Sequence, residues 1–319
     1  MKSPFSRRSA IVTTVIAAAL VLSGCGNSVN DSAGEASGDC GSYAIAMHAW
    51  VGFTASSQVV TELGEELGCT ITQTTLEEGP VTYDAMEAGT IDLIIEDWGG
   101  GRWQEWSDRG AVVEAGENGN VGLIGMYVAP WMVEKYPDIT DSKNLNKYAT
   151  LFKTADSGGK GAWFEGPTGY TTIGEKMVSA NKLNFKVIFS GSEAALVDGF
   201  IKAEENKTPF IGYAWQPWIL HAKIPNLESG RVNFPAPDWT DPAQASGLTD
   251  YPATPLIKLM SKKLNDANDP FTSLIKNFKW TNADQNGVAA DIDGGMSAKE
   301  AAQKWIAANT ATVNSWLGK

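Results

Sequence analysis

The sequence predicts an α/β fold of two lobes with a ligand cleft between them, and three observations predict it. Apolar, β-branched runs alternate with stretches of helical periodicity from Ser42 to Trp98, and again from Ala129 to Trp215. The chain crosses between these two alternating units near Val128 and returns near Arg231, and two crossings make a hinge. Tryptophans stand at the ends of three predicted strands, where open α/β sheets bind ligands.

The elements follow in order. Met1 to Ser9 carries Lys2, Arg7 and Arg8 and no acid, and Ala10 to Leu22 is apolar apart from Thr13 and Thr14. That stretch is too short and too oddly flanked for a membrane span, so residues 1–24 read as a signal peptide. Leu22-Ser23-Gly24-Cys25 resembles the bacterial lipobox, which implies cleavage before Cys25 and lipid on its thiol. Residues 25–40 then read as the lipidated cysteine and a flexible tether, because Gly, Ser, Asn and acid cannot build a core.

Ser42 to Trp50 reads as a buried strand and Ser56 to Leu67 as a helix stopped by Gly68. Cys69 to Leu76 reads as a strand, Val81 to Ala88 as a short helix, and Ile91 to Glu96 as an apolar strand. Strand and helix alternate here, so a parallel sheet is expected. Val121 to Val128 is another strand. The middle unit adds a helix near Met132 to Tyr136, then strands at Gly161–Glu165, Phe185–Phe189 and Phe210–Ala214. Its other helices run from Thr171 to Leu183 and from Glu193 to Glu204. From about Gly247 the chain reads as mostly helical, with Ser297 and Glu300 at capping-box spacing before a last helix. The lobes are expected as 41–126 plus 232–319, and 127–231. Cys40 and Cys69, an even pair outside the cytoplasm, read as a disulfide at the starts of two neighbouring strands.

Charge excludes one class. The formal net charge is −12, and without Lys2, Arg7 and Arg8 the balance is 22 basic to 37 acidic residues, or −15. Nucleic-acid binding needs clustered positive charge, and none is present.

The chain holds 12 tryptophans. Trp50, Trp98 and Trp215 stand at strand ends, and three indoles converging there form an electron-rich box. Such a box suits a cation that donates no hydrogen bond, above all a quaternary ammonium. Trp280, Trp305 and Trp316 follow helical spacing and read as core. Trp103 lines the cleft rim or packs on its own helix, and Trp163 on a middle strand is a further wall candidate.

At this point the body resembles the glycine betaine/choline-type substrate-binding proteins of ABC importers, in the type II periplasmic-binding fold. The resemblance rests on Ala49-Trp50, Thr75-Leu76-Glu77-Glu78-Gly79-Pro80, Ala88-Gly89-Thr90-Ile91-Asp92 and Trp98. Gly166-Pro167-Thr168-Gly169-Tyr170, Trp215-Gln216-Pro217-Trp218 and Phe278-Lys279-Trp280-Thr281 extend it. It implies a trimethylammonium caged by Trp50, Trp98 and Trp215. It also implies a ligand carboxylate held by the backbone N–H groups of Gly169 and Tyr170, as at a helix start.

Two departures leave the ligand open among choline, carnitine, glycine betaine and related betaines. A family histidine after the Trp98 position is replaced by Gly99-Gly100-Gly101-Arg102-Trp103, and another is replaced by Trp218. Arg102 is a bidentate donor that can take over the carboxylate. Glu96 and Asp97 can bond a hydroxyl or pair with a cation.

The resemblance implies no cofactor, no metal and no catalysis. Its partners are a small ammonium ligand, an ABC permease and the membrane through the lipid anchor, with no nucleic acid, and the protein is expected as an extracytoplasmic monomer. The competing reading is a secreted sugar- or ester-acting hydrolase with an aromatic cleft. Glu96 and Asp97 are poor catalytic partners, because neighbours on a strand point to opposite faces.

Overall fold

Residues 40–98, 101–237 and 246–319 are described by the structure, a computed structural model. The signal segment, Cys25 and the tether up to Asp39 lie outside the described residues. So do Gly99 and Gly100.

Eight strands form one sheet in the order β2-β1-β3-β8-β4-β7-β5-β6. On one side, β1 (Ser42–Met47) pairs in parallel with β2 (Thr70–Thr75) from Ser42 against Thr70 to Met47 against Thr75. β3 (Leu93–Asp97) flanks β1 in parallel at Ile45 and Leu93. Cys40 and Cys69 immediately precede the paired strand starts, and a disulfide joins them across a Cα–Cα distance of 4.6 Å. On the other side, β5 (Gly161–Glu165) lies in parallel between β6 (Phe185–Phe189) and β7 (Ile211–Gln216). These parallel groups follow from the alternation of strands and helices.

The centre of the sheet departs from the expectation. β8 (Thr254–Ser261) lies in the segment expected to be mostly helical, and it runs antiparallel between β3 and β4. The sheet is therefore mixed. Lys258 interrupts its apolar pattern, yet the side chain is buried and its ammonium donates to the carbonyls of Lys276 (3.2 Å) and Phe278 (2.6 Å). Burial pushes this ammonium down to about 8.

β4 (Val112–Val128) is more than twice as long as the strand expected from Val121. Its first part pairs with β8, from Val112 against Ser261 to Gly122 against Thr254. Its last part pairs with β7, from Leu123 against Gln216 to Val128 against Ile211. One strand thus belongs to both sides of the sheet. Its register shifts between Glu114 and Glu117 and again before Val121, where the apolar pattern lapses. Gly119 sits there at φ +94°, and a Cβ would lie 2.1 Å from the Trp280 carbonyl oxygen, so only glycine fits. The returning chain runs beside β4, with Arg231 bridged to Tyr127 and the Val232 N–H donated to Met126 O.

Helices cover the sheet. The helix expected from Ser56 starts at Val51 and runs to Glu66, burying Phe53, Val59, Val60 and Leu63. Each such burial is worth about 1.5–3 kcal/mol. The helix expected at 171–183 is confined to Gly174–Ala180. The last helix is two, Ala298–Ala308 and Thr310–Trp316, and the Ser297–Glu300 capping box opens the first. Trp305 stacks on Trp316 at 5.5 Å and meets Trp280 edge-on at 5.7 Å, which makes these three indoles part of the packing. No helix among the described residues is long and apolar enough to cross a membrane.

Candidate functional site

Trp50, Trp98 and Trp215 come together around one cavity, which Tyr170, Tyr213, Thr171, Ile124 and Glu78 complete. The routes to it differ from the strand-end picture. Trp50 lies three residues beyond β1, in extended backbone at the N-cap of the helix Val51–Glu66. Trp98 directly follows β3, and Trp215 is the penultimate residue of β7. Gly122 on β4 makes room for Trp98, since a Cβ there would meet its ring at 2.6 Å.

Two of the indoles are clamped by one acid. Trp50 Nε1 and Trp98 Nε1 both donate to Glu96 Oε1, at 3.2 and 3.0 Å. Glu96 is fully buried, and burial pushes its carboxyl up to about 7 against the pull of the bonds from Trp98, Gln285 and Trp50. Trp50 also meets Phe53 edge-on at 5.2 Å and Tyr170 at 5.6 Å. Trp215 meets Tyr170 edge-on at 5.7 Å and stacks on Trp218 at 4.0 Å. Edge-to-face pairs of this kind are a favourable arrangement of ring quadrupoles and hold the indoles in place.

Contacts also close the cleft. The Tyr170 hydroxyl donates to Ala49 O at 3.0 Å. Glu193 accepts from the Val51 N–H at 3.0 Å and from Trp218 Nε1 at 2.7 Å. A residue of the middle unit thus holds both the start of the first helix and the ring behind Trp215.

The other expected contacts are distributed otherwise. Arg102 is not among the lining residues, and its guanidinium pairs with the Glu78 carboxylate instead of offering itself to a ligand. Asp97 is buried and accepts from the Tyr83 hydroxyl. Glu96 lies behind the indoles. Trp103 is buried outside the lining. Trp163 is fully buried, with its N–H on Glu165 at 3.2 Å and its ring against Phe185 and Phe234. Trp218 backs Trp215 and does not line the cavity. Gly169 lies at an adjoining opening that shares Trp50, Glu78 and Tyr170. The Tyr170 N–H is already donated to Pro167 O at 2.9 Å, and the following helix begins only at Gly174.

Glu78, Ile124, Thr171, Tyr213 and Glu193 are the site residues that sequence reasoning did not single out. Glu78 stood inside the quoted Thr75–Pro80 stretch, where a loop acid reads as solvated. Its side chain is 5 % exposed, and burial pushes its carboxyl up while Arg102 pulls it down. Thr171 Oγ1 donates to the same oxygen that Arg102 takes, at 3.5 Å. Tyr213 donates its hydroxyl to Thr171 O at 2.9 Å. Among the described residues no group of His, Cys, Asp and Glu is arranged to hold a metal ion.

Residues 41–308 match the OpuAC family model, the substrate binding domain of ABC-type glycine betaine transport system. The trimethylamine N-oxide-binding protein of Pelagibacter ubique (strain HTCC1062) is 25% identical over 281 residues, 83% of this chain and 87% of that one. The glycine betaine/carnitine transport binding protein GbuC of Listeria monocytogenes serotype 1/2a (strain 10403S) is 26% identical over 127 residues, 40% of this chain and 38% of that one. Among solved structures, an ABC-transporter choline binding protein in complex with choline has a TM-score of 0.70 at 19% identity. The alignment covers 88% of this chain and 92% of that one. Lactococcal OpuAC, closed on glycine betaine, has a TM-score of 0.67 at 18% identity, over 86% of this chain and 99% of that one. At these identities the structures establish the fold, that of the two-lobed type II periplasmic binding proteins.

Proposed function

The chain belongs to the family of substrate-binding domains of ABC-type glycine betaine transport systems, and from that premise we propose that it captures a methylated ammonium solute and delivers it to a membrane permease. The cation is caged by Trp50, Trp98 and Trp215, with Tyr170 as a fourth ring. The lobes are 41–126 with 232–319, and 127–231, and the ligand favours the closed arrangement because it touches both. Lipid on Cys25 anchors the protein outside the cell membrane.

The observation that carries this reading is the convergence of three indoles and one acid on a single cavity. A methylated nitrogen has spread-out charge and no N–H to satisfy, so indole faces compete well with water for it. A primary amine loses hydrogen bonds that the rings cannot return. The hydrolase reading has less support, since Glu96 and Asp97 are engaged with indoles and with Tyr83.

Calorimetric titration with a methylation series tests the proposal. Affinity is expected to fall steeply as methyl groups are removed, and Trp50→Ala, Trp98→Ala and Trp215→Ala each to cost about 1–3 kcal/mol. Trp280→Ala is expected to lower stability and leave affinity near wild type. Equal affinity for methylated and unmethylated amines sinks the cage.

A further inference from the structure

The cage explains a cationic head, and the far end of the ligand is a separate question. Among the described residues Glu78 is the one acidic side chain lining the cavity, and no Lys, Arg or His lines it with Glu78. Its side chain is 5 % exposed, so water screens it poorly. Three groups that could receive a ligand carboxylate are already engaged around it. Arg102 pairs with Glu78 and does not line the cavity. The Thr171 hydroxyl points its proton at Glu78, and the Tyr170 N–H is donated to Pro167 O. A carboxylate entering the cavity therefore meets a buried like charge and, among the described lining residues, no cationic side chain.

We propose that this cavity takes a compact methylated-nitrogen compound without a carboxylate, and that Glu78 is the residue that turns betaines away. The inference deepens the functional reading above and rests on it. The tail that fits is a hydroxyl, whose proton a carboxylate accepts. Specificity of this kind is a difference of affinities, and a buried like charge is an effective way to create it.

The test is titration of the exported protein and its Glu78→Gln variant with choline, trimethylamine N-oxide, glycine betaine and carnitine. In wild type, choline is expected to bind at least tenfold more tightly than either carboxylate compound. The N-oxide, whose oxygen accepts and does not donate, is expected to bind less tightly than choline. Glu78→Gln keeps the shape and removes the charge, so it is expected to shrink that ratio at least tenfold, chiefly by tightening the betaines. A second arm needs no variant: the methyl ester of glycine betaine is expected to bind wild type more tightly than glycine betaine does. Glycine betaine binding more tightly than choline and its own ester overturns the inference and leaves the cage intact. A selectivity unchanged in a folded Glu78→Gln protein also overturns it. If none of the methylated compounds binds, the functional reading falls together with this one.

Discussion

Replacing Glu96 with leucine tests whether the cage depends on the acid behind it. One carboxylate oxygen accepts two indole N–H groups, at 3.2 and 3.0 Å, and Glu96 is fully buried. Leucine removes both bonds at similar volume and leaves two buried donors unmatched. At about 1 kcal/mol net per bond the loss is about 2 kcal/mol, roughly a 30-fold weaker Kd. Glu96→Gln keeps an acceptor and is expected to lose less.

The pH response separates charge from packing. The folded value of Glu96, about 7, lies above the ordinary 4.5. The folded protein thus holds a proton between those values that the unfolded chain has released. Stability contributed by the protonated group is complete below 4.5 and declines as pH rises toward 7, by about 3 kcal/mol in all, then levels. A bound cation favours the ionised form, so affinity moves the other way and rises as pH climbs through about 7. Glu165 is raised to the same value and adds to the stability slope. The Glu96 part is therefore the difference between wild type and Glu96→Gln. Calorimetry with choline at pH 5.5, 7 and 8.5, beside urea unfolding at each pH, measures both slopes. A Glu96→Leu Kd within threefold of wild type refutes the clamp. An affinity slope identical in wild type and Glu96→Gln refutes the charge argument.

Glu193 ties the Val51 N–H to Trp218, the ring stacked on Trp215. Glu193→Ala is expected to weaken ligand binding about tenfold, mainly through faster dissociation, and stopped-flow tryptophan fluorescence reads that rate. An unchanged dissociation rate rules out this contact as a closing latch. Reducing the Cys40–Cys69 disulfide, which spans 29 residues, is expected to cost about 3 kcal/mol in urea unfolding. A midpoint unmoved by reductant counts against that stabilisation.

The parts legible in the sequence are those whose signal is local. Alternating strands and helices, the Ser297–Glu300 box and the three tryptophans are all readable without knowing what packs on them. The misses are residues whose meaning depends on distant partners. Lys258 hid β8 because its two carbonyl partners, at Lys276 and Phe278, lie in a later segment. Gly116, Gly119 and the acids between Val112 and Val121 masked half of β4, and the need for Gly119 comes from Trp280, far along the chain. Arg102 read as a ligand partner because Glu78, 24 residues earlier, was not seen to reach it. Trp50 lines the cavity although its strand ends at Met47, since the cavity depends on where the indole arrives and not on the element that carries it.

The placement of β8 bears on how the protein is made. A ribosome releases the chain amino end first, yet the gap between β3 and β4 is filled only by residues 254–261. Until those residues emerge, both flanking strands lack their shared neighbour, and the long β4 has no partner for its first half. A nascent chain in that condition offers open edges to other chains and to chaperones, and has no finished domain to pull shut. The topology leaves the middle of the sheet open until residues 254–261 have been synthesised.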